Sequence, residues 1–155
     1  MAKLVLKDAN ISFNGTDISA NVASLTLSTT AAEVATTAFG SSAVTRVSGL
    51  IDNSVTFSIH NDYNAIDGIF FPLVGSTAVT CIVKPNGTAA ASSANPSYTF
   101  SVLVTEWTPV NGAVGELATA DVTFPISGGI TQSSEASLIA GFFCLAFATA
   151  ELRSE

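Results

Sequence analysis

A chain of 155 residues with 48% hydrophobic and only 11% charged residues is too apolar to remain disordered, and it is long enough for one core. A formal net charge of −7, with cations only at Lys3, Lys7, Arg46, Lys84 and Arg153, leaves no basic patch to neutralise phosphates and so excludes nucleic-acid binding by charge. So few charges imply much neutral or apolar surface, as in a subunit covered within an assembly.

The N-terminal Met-Ala-Lys-Leu-Val-Leu-Lys-Asp has no apolar stretch long enough for an export signal, which predicts synthesis in the cytoplasm. Leu4 and Leu6 alternate with Lys3, Val5 and Lys7, the pattern of a short strand whose lysines guard an edge. Ile11 and Phe13 then lead into Asn14-Gly15, a strong hairpin signal. The chain turns over residues 17–20 and a strand begins at Val22. Leu25 and Leu27 alternate with Thr26 and Ser28; further on, Val55, Phe57 and Ile59 alternate with Ser54, Thr56, Ser58 and His60. A period of two puts one set on a buried face and the other on a polar face. Between these strands, residues 29–48 read as a long loop rich in Ser, Thr and Ala. A connection of that length inside a domain is normally functional or disordered, and here it predicts a contact arm that orders on a partner.

Asn61 and Asp62 are N-cap candidates for a helix in which Ile66, Ile69, Phe70, Leu73 and Val74 share one face. Pro72 should disturb its last turn and Gly75 should stop it. Val79, Cys81 and Val83 predict the next strand, ending at Pro85-Asn86-Gly87. Residues 88–95, Ala- and Ser-rich, read as a flexible surface loop closed by Asn95-Pro96. Tyr98, Phe100, Val102 and Val104 then line one face, with Thr99, Ser101, Leu103 and Thr105 on the other. After a turn at Asn111-Gly112, Ala120, Val122, Phe124 and Ile126 alternate with Thr119, Asp121 and Thr123. The expected architecture is mainly β: two packed antiparallel sheets, as a β-sandwich or flattened barrel, with one flanking α-helix and a long inter-strand loop.

The domain is expected to span residues 1–131, followed by an apolar C-terminal extension over 132–155. Residues 136–150 are apolar on every face. Ser133 or Ser134 would cap a helix there, which Leu, Ala and Phe favour over strand. Left in water, Leu138, Ile139, Phe142, Phe143, Leu145 and Phe147 would form an aggregation site, so they are expected at a subunit interface or across the barrel's outer face. The run is short for a bilayer and lacks flanking Lys/Arg clusters, so no membrane anchor is predicted.

Chemistry is hard to find. The single His60 shares a predicted strand face with Ser58 and has no arranged nucleophile, so it reads as a polar-face residue. Asp62 and Asp67 are explained by a helix start, where acids are favoured. Asp8, Asp17 and Asp121 lack the spacing of a calcium loop, and there is no phosphate-binding or nucleophile-elbow motif. Trp107, beside Glu106 and Pro109, reads as a strand-end anchor. Cys81 and Cys144 read as buried, inert thiols. No enzyme activity, cofactor or metal is expected.

A family resemblance rests on the order of elements: an L-x-L strand (Leu25, Leu27), Glu33, then Thr37, Phe39, Gly40 and Arg46. It continues through Ser48, Gly49, Leu50, Asp52, Ser54, Val55, Phe57 and Ile59, across residues 62–75 and on to Pro125. In this order the chain resembles the major tail tube protein of long-tailed bacteriophages with non-contractile tails, over most of its length to Thr131. The resemblance implies a structural virion protein, made in the host cytoplasm, that stacks on itself as hexameric rings into a tail tube. The tube would be a negatively charged conduit for DNA ejection, passing DNA without specific binding and meeting other tail proteins at its ends. It further implies an inter-subunit loop bearing Glu33, Thr37, Phe39, Gly40, Val44 and Arg46, with Arg46 facing an acid such as Glu33 or Asp52 of a neighbour. The hydroxyl faces Ser54/Thr56/Ser58, Thr99/Ser101 and Thr119/Asp121/Thr123 are the candidate lumen. The alternative is a β-sandwich binding or decoration module on a phage particle; a sugar binder, however, would want exposed aromatics, and here aromatics are 8% and mostly on apolar faces.

Overall fold

The computed structural model describes residues 5–134. Among them eight strands form two antiparallel sheets, with one short helix; the sheets are not closed into a barrel. The contacts divide the described chain into two units, one of residues 5–19, 80–100 and 130–134, the other of residues 20–79 and 101–129.

The first unit is built on the sheet of order β2-β1-β5-β6-β8, formed by β1 (Asn10–Phe13), β2 (Thr16–Asp17), β5 (Val79–Lys84), β6 (Ser97–Val102) and β8 (Thr131–Ser133). Asn14 and Gly15 both take positive φ, 50° and 81°, which is what a two-residue hairpin turn between twisted strands demands. Register places Ile11 opposite Val83 and Phe13 opposite Cys81, and all four are buried with Phe100. The same burial pushes the Cys81 thiol up to about 12, so it stays protonated and inert. Behind the hairpin, the Asp17 carboxylate accepts hydrogen bonds from the Ser19 hydroxyl, the Ser19 N–H (2.9 Å) and the Asn10 amide (3.0 Å), which hold its pKa below the usual carboxylate range. Val5 and Leu6 are exposed and form no strand, contrary to the edge strand expected from Leu4 and Leu6; Leu4 itself lies outside the described residues. β8 is the strand the sequence hid, because Thr131, Gln132 and Ser133 carry no apolar alternation and gain their place only by pairing with Ser97, Tyr98 and Thr99.

The loop after β5 is not loose. Buried Asn95 donates its amide to the carbonyls of Asn86 (2.9 Å), Ala89 (3.2 Å) and Ala90 (3.2 Å), and accepts from the Asn86 N–H (2.9 Å). One side chain thereby satisfies the backbone of an otherwise patternless segment.

The second unit is built on the sheet of order β3-β4-β7: β3 (Val22–Ala35), β4 (Arg46–His60) and β7 (Thr119–Pro125). Val55, Phe57, Ile59, Ala120, Val122 and Phe124 form its buried face, and Phe57 and Phe124 meet at 6.2 Å between ring centroids. Burying each large side chain contributes roughly 1.5–3 kcal/mol. The helix α1 is shorter than its periodicity suggests, running only from Asp67 to Phe70 before a 3-10 turn over Phe71–Leu73. Pro72 explains this, having no N–H to continue the α ladder. Asp62 accepts from the Asn64 (3.0 Å) and Ala65 (3.3 Å) N–H groups at the entry, and Gly75 closes the exit at φ +75°. Ile66 and Phe70 are buried; Phe71 and Val74 face solvent.

Candidate contact surfaces

The exposed face of the β3-β4-β7 sheet is lined with hydroxyls. Side chains in register across neighbouring strands share a face. Three rows follow from the pairing: Ser24–Ser58–Asp121, Thr26–Thr56–Thr123 and Ser28–Ser54–Pro125, with His60 opposite Thr119 at one end. The candidate residues Ser54, Thr56, Ser58, Thr119, Asp121 and Thr123 are thus brought together on one surface. The Thr56 and Thr123 hydroxyls are hydrogen-bonded at 3.0 Å, although 67 positions separate them in the chain. Ser24, Thr26 and Ser28 join them, and their alternation with Leu25 and Leu27 was the signal for it. Thr99 and Ser101 do not belong here, since both lie on β6. No cation interrupts the three rows. An array of hydroxyls with one carboxylate offers weak, replaceable hydrogen bonds and no cation to hold a polyanion.

The second surface is the far half of the β3–β4 hairpin. β7 pairs with β4 only over Ser54–His60, while β3 and β4 remain paired beyond that, out to Ala35 and Arg46. The long loop expected over residues 29–48 is therefore half two-stranded ribbon, and only residues 36–45 are loop. Among the described residues nothing covers either face of the ribbon, and the sequence there shows no alternation. Thr36 N donates to Thr45 O (2.8 Å), their hydroxyls meet at 3.1 Å, and Thr45 N donates to the Thr37 hydroxyl (3.1 Å), which together clasp the tip. Gly40 takes φ +91° within it. Phe39 is fully exposed, 110% of its reference area, and Val34, Val44, Val47, Leu50 and Ile51 are exposed along the ribbon. Glu33 and Arg46 lie on the strands rather than in the loop. Arg46 Nε reaches Glu33 Oε2 of the same chain at 3.4 Å, so the acid expected from a neighbour is already supplied across the hairpin. At the ribbon's root, buried Asn53 donates its amide to Gly128 O (3.0 Å), while its Oδ1 has no partner among the described residues.

The third surface escaped sequence reasoning. After β6 the chain runs without regular structure over residues 103–118, yet it is pinned throughout. Gly75 N donates to Val104 O (3.0 Å), and Trp107 Nε1 to the Asp67 carboxylate (2.8 Å) with its ring stacked 4.7 Å from Phe70. The Asn61 amide donates to Pro109 O, Asn61 N to Ala118 O (2.9 Å), and the Asn111 amide to Thr119 O (3.1 Å). This makes Trp107 the anchor of the helix. On this fixed shoulder Tyr63, Phe71, Val74, Val110, Val114 and Leu117 are exposed. The only trace in the sequence was a run of apolar residues too irregular for either period.

Among the described residues no cluster of three His, Cys, Asp or Glu could hold a metal, and no helix is long and apolar enough to cross a membrane. His60 Nδ1 is buried without a hydrogen-bond partner among the described residues. The C-terminal candidates Leu138, Ile139, Phe142, Phe143, Leu145 and Phe147, and Cys144, lie outside the described residues.

No family model and no curated protein matches the chain. Solved structures do. A chain of the virion of a native gene transfer agent particle superposes with a TM-score of 0.60 at 15% identity, covering 82% of this chain and 96% of that one. A chain of the anti-feeding prophage baseplate, sixfold symmetrised, superposes with a TM-score of 0.50 at 10% identity, covering 86% and 98%. At such identities the likeness is one of fold.

Proposed function

We propose that this chain is a structural subunit of a phage-type particle, stacking on itself as hexameric rings into a tail tube that passes DNA without binding it. The observation that carries the reading is the exposed, hydrogen-bonded ribbon with apolar residues along its length. A free monomer gains nothing by holding such an element in water, whereas an assembly buries it. The fold shared with chains of a virion and a sixfold-symmetrised baseplate supports the particle and the symmetry. The cation-free rows around Thr56 and Thr123 suit a lumen wall, with Asp121 adding like charge toward DNA. In this reading residues 136–150 pack between subunits. Their removal should be tested by truncation after Ser134, because a cut after Thr131 would sever β8.

Negative-stain microscopy of the purified protein tests the proposal directly. Rings or tubes with an open lumen are expected, with no retardation of DNA at low salt. Monodisperse globules would instead favour a binding or decoration module.

A further inference from the structure

Three Asn-Gly pairs occur in the sequence, at Asn14-Gly15, Asn86-Gly87 and Asn111-Gly112. In each, the side-chain amide carbon can close a five-membered ring on the N–H of the next residue, which has no side chain to shield it. The fold treats the three differently. Asn14 is gripped in the β1–β2 turn at φ +50°, with Phe13 paired to Thr16 across it and its own N–H donated to Thr80 O (2.9 Å). Closing a ring there means breaking the hairpin. At Asn86 both reacting groups are committed. The Gly87 N–H is donated to Asp8 O (2.5 Å), and Asn86 Oδ1 accepts from the Thr88 N–H (3.1 Å), the Thr88 hydroxyl (2.8 Å) and the Ala89 N–H (3.3 Å). Asn111 is the exception. It and Gly112 are exposed and outside regular structure. The Gly112 N–H has no acceptor among the described residues, and the Asn111 side chain makes one bond, from Nδ2 to Thr119 O at 3.1 Å.

From this contrast we propose that Asn111-Gly112 is a self-modification site, at which the folded chain converts its own asparagine to aspartate and isoaspartate. Gly112 N gives up its proton and attacks Asn111 Cγ. The new N–C bond forms as the Cγ–Nδ2 bond breaks, and Nδ2 leaves as ammonia carrying that proton. Water, the only co-reactant, then opens the succinimide at either carbonyl. Nothing is oxidised or reduced. The product changes the loop that holds it. A carboxylate has no proton to donate, so the bond to Thr119 O is lost and a negative charge is left facing that carbonyl. Thr119 begins β7 and pairs with His60, so the change loosens the loop where it enters the sheet.

The test follows the full-length protein in mildly alkaline buffer by peptide mass spectrometry, with ion exchange resolving the added charge. Asn111 is expected to convert first, roughly tenfold faster than Asn86, because freeing one committed hydrogen bond costs about that factor in rate. In concentrated urea the three sites should convert at similar rates, since the fold alone separates them. Asn14 or Asn86 leading in the folded protein, or an order unchanged by urea, would overturn the inference. Asn111→Gln keeps the amide donor but can close only a slower six-membered ring. It should abolish the early charge variant, and persistence of that variant would place the event elsewhere. Aged protein should exchange its amides faster over residues 110–119 than Asn111→Gln aged alike; equal exchange would overturn the proposed loosening. None of these readouts depends on assembly, so their failure leaves the tube proposal untouched.

Discussion

The β3–β4 hairpin has two halves made of the same two strands, with opposite fates. In the inner half, from Ser54 to His60, β7 covers one edge and alternate residues are buried completely, Val55, Phe57 and Ile59 each at 0% exposure. In the outer half, from Arg46 to Asp52, backbone pairing continues but nothing is buried. The difference shows that hydrogen-bonded pairing and a hydrophobic core are separable. An isolated two-stranded ribbon is marginal in water, so the outer half depends on the inner half to hold its register and on its tip to close it. What it gains is reach: apolar side chains carried away from the core and available to another molecule.

This contrast can be broken at graded cost. Phe57→Ala removes a fully buried ring that contacts Phe124 and should lower stability by about 3–5 kcal/mol. Urea unfolding of the purified protein measures it, and a loss below that of an outer-half substitution would mean the core has been misplaced. Asn53→Ala acts at the border. It deletes the bond to Gly128 O within a buried setting and should cost about 1–3 kcal/mol. Faster amide exchange along residues 46–52 should accompany that loss, and unchanged exchange there would show that Asn53 does not anchor the ribbon.

Arg46→Ala removes the Glu33 ion pair near the tip. Both side chains are largely exposed, so roughly 0.2–1 kcal/mol is expected at low salt and less as ionic strength rises. A salt-independent cost would place Arg46 in some tighter contact. Leu50→Ser is the smallest change for the subunit, within about 0.5 kcal/mol of the unmodified protein, because a side chain 87% exposed loses almost nothing on removal. If the proposed tube forms, its effect should appear there, as shorter tubes by microscopy. A cost near that of Phe57→Ala would erase the distinction between the halves.

The gap between sequence reading and structure follows the same division. The alternations at Val79–Lys84 and Thr119–Pro125 were legible because one face of each strand is buried, and burial selects apolar residues at every second position. The ribbon was read as loop because neither face is buried, so Thr30, Ala31, Glu33 and Val34 carry no period. The helix was read as too long because its apolar spacing continues through Leu73 and Val74, beyond the point where Pro72 turns the ladder into a 3-10 turn. The loop over residues 88–95 looked flexible because the four bonds made by Asn95 are invisible in composition.

By itself the sequence determined the β class, the turn at Asn14-Gly15, the stop at Gly75 and the scarcity of cations. The expected cap at Asp62 holds only the turn before the helix, whose N-cap is Ile66 without a side-chain bond. The features it determined are local properties: side-chain period, glycine's tolerance of positive φ, and net charge. Only the tertiary structure decided which polar faces meet. Thr56 touches Thr123, Asn53 reaches Gly128, and Trp107 clamps the helix through Asp67, although chain separations of 67, 75 and 40 residues lie between them. Pairings over such distances leave no periodic trace in either segment, because each strand is selected for the face it buries and not for the partner it finds. The ribbon and the shoulder belong to that second class: their exposure is set by where β7 stops and where the loop is tied.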